Sequence, residues 1–113
     1  MAKDWLEKIY FKQRNLQSAY KGTDDLINIV DVYNSATAAL VEVGEMLQCD
    51  TRWKEFVTGS KKKPVICSEQ FKEEWADTFI YLLNVLIYAG IDAEEIKTVV
   101  ENKQNKNYRR FNK

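Results

Sequence analysis

The chain has 113 residues, 45% of them hydrophobic, and its 17 basic residues balance 17 acidic ones. This length predicts one domain, residues 1–113. The zero net charge argues against nucleic acid as a partner. The absence of histidine excludes serine-triad catalysis and most zinc sites. No apolar run approaches the roughly 18 residues of a membrane span, and no signal-peptide pattern is present, so we expect a cytoplasmic protein without a membrane partner.

Only four Gly and one Pro interrupt the chain, and its hydrophobic residues recur at helical spacing, so the sequence predicts an all-α fold. A first helix is predicted from Asp4 to Tyr20, and Lys21-Gly22 ends it. Thr23-Asp24-Asp25 then predicts the N-cap and the acidic first turn of a longer second helix, which reaches to about Gln48.

The second half of the chain begins with a less regular segment. Residues 50–66 predict a short helical piece followed by a basic loop. Ser68 can cap a third helix that stops at Gly90, and Asp92 with Glu95 resembles the capping box of a fourth helix, which ends in a basic tail. The predicted architecture is therefore a bundle of four to five helices, which we expect oligomerisation to complete.

The second and third helices are apolar around most of their circumference, and each leaves only a narrow polar band. The band of the second helix comprises Asp31, Asn34, Ser35, Glu42 and Glu45. The band of the third helix comprises Glu74, Asp77, Thr78, Tyr81, Asn84 and Tyr88. A helix that is apolar on so many sides is buried on several of them, so we expect the two bands to face an internal cleft. We also expect Trp5, on the first helix, and Trp75, on the third, to lie in the core.

Four carboxylates within these bands form two pairs at helical spacing. Glu42 and Glu45 are three residues apart, so both project from one face of the second helix, and Glu74 with Asp77 repeats this spacing on the third. If the helices pack antiparallel, the four acids converge and repel one another, and a hard divalent cation with oxygen ligands would neutralise them. We expect Mg²⁺, with Mn²⁺ as an alternative. The solvated faces of two amphipathic helices would explain the same spacing without a metal.

The order and spacing of these acids resemble a known motif. Glu42-x-x-Glu45, followed after 28 residues by Glu74-x-x-Asp77, is similar to the metal-binding motif of the all-α NTP pyrophosphatases, the superfamily of MazG-type enzymes and dimeric dUTPases. Lys12 to Leu16 resembles the Gln-containing stretch of dimeric dUTPases, and Asp50 to Phe56 resembles their segment between the acidic helices. Asn102 to Phe111 resembles the Lys/Asn/Arg-rich terminus of the superfamily. Together these likenesses cover most of the chain.

The resemblance implies hydrolysis of a nucleoside triphosphate to its monophosphate and pyrophosphate, with Mg²⁺ required. It implies that the metal ligands are Glu42, Glu45, Glu74 and Asp77. Glu42 or Glu45 could instead orient or deprotonate the attacking water, and the sequence does not distinguish the two. The chain is shorter than typical dimeric dUTPases, so the base preference is also open, with dUTP the leading candidate and dCTP next.

Basic and amide side chains near the C-terminus are the candidates for binding phosphate. Lys103, Asn107 and Arg110 lie near the end of the predicted fourth helix and offer hydrogen-bond donors to a triphosphate. Basic residues in the last turn of a helix also suit the helix dipole without any ligand. Both interpretations stay open.

Three other residues are candidates for binding the base or the sugar. The amide of Gln13 carries both a donor and an acceptor, as the edge of uracil requires. Asn84 lies two turns beyond Asp77 on the same band, and Trp53 could stack on the base. Core packing or a buried amide bonded to backbone would explain these residues equally well.

Two functions of other classes stay open. The acidic cluster of a non-enzymatic helical bundle could bind a structural cation or a basic partner protein. Nucleic-acid binding through Lys61 to Lys63 and the basic C-terminal tail is disfavoured by the zero net charge and by the acidic cleft. Four helices enclose such a cleft poorly and the chain is rich in aromatic residues, so we expect a homodimer or a homotetramer.

Overall fold

The computed structural model describes residues 4–48 and 69–111, and all regular structure within these ranges is helical. Four helices follow one another: α1 (Trp5–Lys21), α2 (Ile29–Gln48), α3 (Glu69–Tyr88) and α4 (Ala93–Phe111). The predicted all-α class is thereby confirmed. None of these four helices alone has the length and hydropathy of a membrane span. Taken together, α3 and α4 have the length and composition of a bent span, with an angle of 112° between them. The predictions for residues 50–66 and for Ser68 lie outside the described residues.

Local capping interactions define both ends of α1. The Asp4 side chain accepts a hydrogen bond from the Glu7 backbone N–H at 2.8 Å, which satisfies one of the free donors of the first turn. At the other end Gly22 has a φ of 71°, a left-handed conformation that glycine adopts without steric cost, and its N–H donates to the Ser18 carbonyl. The predicted ends of this helix differ from the observed ones by one residue.

The start of α2 differs from the prediction. Thr23 to Asp25 form a turn rather than an N-cap, and the Thr23 hydroxyl accepts a hydrogen bond from the Asp25 N–H at 3.1 Å. The helix begins at Ile29, and the side-chain oxygen of Asn28 caps it by accepting from the N–H groups of Val30 and Asp31, at 3.0 and 3.2 Å. Leu26 accounts for the later start of the helix. It is only 5% exposed and belongs to the hydrophobic core, so the chain around it is positioned by core packing before the helix begins.

Backbone hydrogen bonds around Gly90 close the turn between α3 and α4. This glycine has a φ of 80°, and its N–H and the next one donate to carbonyls in the last turn of α3. The two bonds form a Schellman motif, which satisfies the carbonyls that a helix end leaves free. Asp92 then accepts from the Glu95 N–H at 2.8 Å, so the predicted cap of α4 is confirmed, and the helix continues through the basic tail to Phe111.

The most extensive contact between the described helices is that of α2 with α3, which run antiparallel. The Asn28 N–H, just before α2, donates to the carbonyl of Tyr88 at the end of α3, at 2.9 Å. The hydrophobic core surrounds this junction, where α1 and the start of α4 also pack. Its buried members are Tyr10, Leu26, Ile87, Tyr88, Ala93 and Ile96. The core therefore lies at one end of the α2–α3 pair.

Two tryptophans predicted for the core lie at the surface of the single chain. Trp5 is 63% exposed and Trp75 is 52% exposed, so this prediction is wrong for the described protomer. Each packs one side of its ring system against Phe79, with ring-centroid distances of 5.8 and 5.7 Å. Hydrophobic periodicity identifies which residues share a helix face, but it does not show whether another element covers that face.

Candidate metal centre and the adjoining cavity

The acidic residues of α2 and α3 meet across the antiparallel pair. Carboxylate oxygens of Glu42, Glu45 and Glu74 lie within 4.8 Å of one another. Asp77 follows Glu74 by one turn of α3, but it does not join this group of mutually close oxygens. Glu42 and Glu74 are half-buried, whereas Glu45 and Asp77 are exposed. Three of the four predicted ligands thus converge, and Asp77 lies close enough to act electrostatically on Glu42.

This proximity changes the ionisation of Glu42. Its hydrogen bond with the Glu74 carboxyl raises its pKa most, followed by burial and by the negative charges of Glu45, Glu74 and Asp77. The resulting pKa is about 7, compared with an ordinary value of 4.5. Two carboxyl groups form a hydrogen bond only when one of them is protonated. Near neutral pH, the cluster therefore either holds a proton or its carboxylates repel one another. A cation bound between the carboxylates would take the place of that proton.

Two oxygen atoms of the cluster have no hydrogen-bond partner among residues 4–48 and 69–111. Oε2 of Glu42 and Oε2 of Glu74 are shielded from solvent, and neither accepts a hydrogen bond from any described residue. Buried polar atoms are normally paired, because an unpaired one loses its hydration without compensation. Charged oxygens in this situation suit a hard divalent cation, and an all-carboxylate set suits Mg²⁺ or Mn²⁺. The donor set therefore fits the predicted metal.

A polar cavity of about 680 Å³ lies further along the same helix pair, on the side of the core. Helices α1, α2 and α3 line it with Leu16, Gln17, Tyr20, Lys21, Asp31, Asn34, Ser35, Tyr81, Asn84 and Tyr88. Six of these residues belong to the two predicted polar bands, so the expectation that the bands face a shared cleft is confirmed. Ser35 and Asn84, on the cavity wall, are only 8% and 6% exposed.

Two of the predicted substrate-binding residues contact each other. The side-chain amide nitrogen of Gln13, on α1, donates to the amide oxygen of Asn84, on α3, at 2.9 Å. Asn84 lines the polar cavity, whereas Gln13 lines a separate and mainly apolar cavity between α1 and α3. The structure therefore links the two residues to each other, and their contact with a nucleotide stays a prediction.

The far end of the polar cavity contains contacts that the sequence analysis missed. Lys21 pairs with Asp31 at 2.9 Å and lies 5.7 Å from the centre of the Tyr88 ring, and the Tyr88 hydroxyl donates to the amide oxygen of Gln17. The hydrogen bond to Asp31 raises the pKa of Lys21, and burial raises the pKa of Tyr88. The sequence does contain one indication of the role of Gln17. It follows Gln13 by four residues and therefore lies on the same face of α1.

The remaining predicted substrate residues lie elsewhere or outside the described ranges. Lys103, Asn107 and Arg110 are exposed on α4, which packs against α1, and they are not among the residues that line the polar cavity. Trp53 lies outside the described residues. The basic last turn of α4 suits the helix dipole, and phosphate contacts by these residues stay predictions.

Comparison with family models identifies a relationship that spans nearly the whole chain. A family described as dUTPase matches residues 5–113. Comparison with curated proteins and with solved structures gives no match. The matched range contains both acidic pairs and every residue that lines the polar cavity. We conclude that the chain belongs to the dUTPase family.

Proposed function

We propose that this protein hydrolyses a deoxynucleoside triphosphate to its monophosphate and pyrophosphate in a Mg²⁺-dependent reaction, with dUTP as the first substrate and dCTP as the next. The observation that carries the proposal is the convergence of Glu42, Glu45 and Glu74 within 4.8 Å, beside a polar cavity of a volume typical for small ligands. Membership of the dUTPase family supports the same reaction class.

The acidic cluster supplies the negative charge that such a reaction needs around a cation. The residues that would hold the metal are Glu42, Glu45, Glu74 and Asp77. Bound Mg²⁺ would neutralise charge on the phosphate oxygens and lower the pKa of a bound water. The protein's own contribution is that its carboxylate oxygens are already together, two of them buried and without a partner in the described part of the chain, so little rearrangement is needed.

One glutamate of the cluster would also accept a proton from the attacking water. We assign this role to Glu45, which is the exposed member of the converging group, with Glu42 as the alternative. Glu42 has a buried and unpaired oxygen, which suits metal ligation better than proton transfer to solvent. The Mg²⁺ dependence of turnover in Glu45→Gln and Glu42→Gln distinguishes the roles. Loss of the base lowers kcat even at saturating Mg²⁺, whereas loss of a ligand raises the Mg²⁺ concentration required.

The substrate would lie along the groove between α2 and α3, with its phosphates at the acidic cluster and its nucleoside in the polar cavity. We retain four predicted residues as further contacts of the substrate: Trp53 for the base, and Lys103, Asn107 and Arg110 for the phosphates. Single alanine variants should raise KM for the triphosphate several-fold if these contacts form. An unchanged KM would remove that residue from the binding site.

We also propose that the protein acts as a homodimer or a homotetramer. The face of α2 that points away from α3 carries an apolar stripe at helical spacing. Its members, each more than half exposed in the described protomer, are Ile29, Val30, Tyr33, Leu40 and Val41. An apolar face of this length is typical of a subunit interface, and a second copy of the chain offers a matching one. Light scattering after size-exclusion chromatography tests this, and a single-chain mass at all concentrations would contradict it.

The experiment that tests the proposed activity is a panel of common ribo- and deoxyribonucleoside triphosphates, with dUDP included. Pyrophosphate and orthophosphate are measured separately, with Mg²⁺ and with EDTA. We expect pyrophosphate from dUTP in the presence of Mg²⁺ and no turnover in EDTA. Orthophosphate as the only product, or equal turnover in EDTA, would contradict the proposal. Tight Mg²⁺ binding without turnover of any nucleotide would instead support a non-enzymatic cation-binding bundle.

A further inference from the structure

An apolar wedge opens between α3 and α4. The two helices meet at an angle of 112°, and the space between them is a cavity of about 430 Å³. Its wall includes Trp5 from α1, Leu82 and Leu86 from α3, and Ile96 and Val100 from α4. Trp5, Leu82 and Val100 are each at least half exposed in the described protomer. The wedge therefore presents apolar side chains to solvent, and it is separate from the polar cavity and the acidic cluster.

Packing at the base of α4 keeps the wedge open. Ala93 and Ile96, at the start of the helix, are buried members of the core. The preceding turn is fixed by the backbone hydrogen bonds around Gly90, where an added Cβ would lie only 3.0 Å from Ile27. Closing α4 onto α3 would pull the start of α4 out of the core. The apolar wall of the wedge is therefore not covered by a movement of α4.

The outer part of α4 is little packed within the described protomer. From Lys97 to Phe111 every residue of the helix is exposed. A helix in a protein gains most of its stability from the packing of an apolar face, and an isolated helix of this length is marginal in water. Such a face is present, because Val100 and Phe111 follow Ile96 at helical spacing. This pattern indicates that α4 packs against another chain on the side of the wedge.

The exposed apolar area around the wedge matches that of a stable interface. Trp75 lies beside the wedge, because it stacks on Phe79, which lines it. The exposed parts of four side chains amount to roughly 450 Å² per copy, those of Trp5, Trp75, Leu82 and Val100. Apolar atoms make up roughly 57% of a standard interface, so this area corresponds to about 800 Å² per partner. A stable protein–protein contact buries an area of this size.

The charges on the wall of the wedge are self-complementary. Lys97 and Glu101 are the two charged side chains among the described residues that line it, and they are one turn apart on α4. A two-fold axis near Val100 places Lys97 of each copy opposite Glu101 of the other, so both charges are paired. A uniformly acidic or basic partner would instead meet one like charge. Within its own chain Lys97 makes only a weak pair, because its nitrogen lies 3.7 Å from the Asp4 carboxylate and both side chains are exposed.

We propose that a second copy of this chain docks in the wedge, with the two α4 helices packed against each other about a two-fold axis near Val100. Each α4 then covers the exposed Trp5 and Leu82 of the other copy. This contact uses a different face from the apolar stripe of α2, and it does not depend on the proposed catalysis. When both faces form contacts, the assembly is a tetramer, a count that rests on the α2 contact proposed above.

Light scattering after size-exclusion chromatography of Val100→Glu tests this contact. The new carboxylate would be buried without a partner in the wedge, so the measured mass should fall to half that of the wild type, whether or not α2 also forms a contact. Val99→Glu is the matched control, because Val99 is the adjacent exposed valine and is not among the residues that line the wedge. It should keep the wild-type mass. An unchanged mass in Val100→Glu, or an equal loss in Val99→Glu, would overturn the proposal.

An exchange of charges tests the two-fold arrangement, and it decides the question even when Val100→Glu does not fold. Lys97→Glu gives a copy with two acids at the paired positions, and Glu101→Lys gives a copy with two bases. Each variant alone places like charges opposite each other, so its self-association should be roughly tenfold weaker than that of the wild type. An equimolar mixture restores both pairs of opposite charge and should associate with about the wild-type affinity.

Sedimentation equilibrium measures these affinities in a Leu40→Asp background, which disrupts the exposed apolar stripe of α2 as a competing contact. A mixture that associates no better than either variant alone would overturn the two-fold arrangement. Neither experiment uses a nucleotide. A protein without pyrophosphate release whose Val100→Glu variant loses half its mass would therefore support this contact, whereas an active enzyme whose mass is unchanged in Val100→Glu would overturn it.

Discussion

Binding of Mg²⁺ should release a proton from the acidic cluster, because Glu42 must be ionised to act as a ligand. With a pKa of about 7, Glu42 holds about half a proton at pH 7, about 0.9 at pH 6 and about 0.1 at pH 8. The dissociation constant for Mg²⁺ should therefore fall roughly tenfold between pH 6 and pH 8. A glutamate with the ordinary pKa of 4.5 would be ionised across this range and would show neither effect.

Isothermal titration calorimetry in two buffers of different ionisation enthalpy measures the number of protons released per Mg²⁺ bound. Glu42→Gln should abolish the release and make the remaining affinity independent of pH. Glu73→Gln is the matched control, because Glu73 is an exposed glutamate adjacent to Glu74 in the sequence, and this variant should release the same number of protons as the wild type. Equal affinity at pH 6 and pH 8, with no proton released by the wild type, would refute the reasoning that these glutamates share one site.

Four further predictions concern stability and catalysis. The metal-free protein should lose stability as the pH rises from 4.5 to about 7, because the raised pKa of Glu42 means that the folded state binds this proton more tightly than the unfolded state. Thermal melts in EDTA across this pH range measure the loss. A Tm that rises with pH would contradict the prediction. Mg²⁺ at a hundred times its Kd should then add about 2.7 kcal/mol, a Tm increase on the order of 10 °C, and identical melts in Mg²⁺ and EDTA would mean that no metal site forms. Glu45→Gln and Asp77→Asn should each lower kcat by ~10²–10³-fold without changing the far-ultraviolet circular dichroism, and near-normal turnover at saturating Mg²⁺ would remove that residue from the ligand set. Gly90→Ala should destabilise the fold by about 1–2 kcal/mol, because its φ of 80° strains any residue with a Cβ. The control Gly44→Ala, where an added Cβ meets no atom within 4 Å, should stabilise α2 by about 0.5–1 kcal/mol, and denaturation curves that shift in the same direction for both would count against the backbone argument.

Helix ends could be predicted from the sequence where the deciding interaction is local. Asp4 and Asp92 accept hydrogen bonds from residues three positions later, so the pattern that predicts each cap lies within one turn. The start of α2 could not be predicted in this way. Thr23 to Asp25 have the composition of an N-cap, but Leu26 is buried among residues of α1, α3 and α4 that are distant in the sequence. The free energy of that burial outweighs a local capping preference.

The candidate site likewise has one part that the sequence predicts and another part that depends on contacts between residues distant in the sequence. The convergence of Glu42 and Glu74 follows from two helical periodicities and one antiparallel contact, all of which the sequence indicates. The hydrogen bond from Gln13 to Asn84 joins residues 71 positions apart, and its direction depends on which amide atoms meet between α1 and α3. No periodicity contains that information. The surface positions of Trp5 and Trp75 likewise depend on what covers a face, which one chain alone does not supply.

The position of the core makes the two ends of the α2–α3 pair different. Its closed end is held by the Asn28–Tyr88 backbone hydrogen bond and by the buried Ile87, and its other end carries the like-charged Glu42 and Glu74. Without a cation, electrostatic repulsion acts at the end of the pair where, among the described residues 40–48 and 69–78, no side chain is fully buried. A metal ion would therefore act mainly by limiting the separation of the two helix ends. In hydrogen exchange, the protection that the metal adds should be greatest at the acidic end of α2 and α3 and should decrease toward the core. The metal would then also set the width of the groove that the substrate enters.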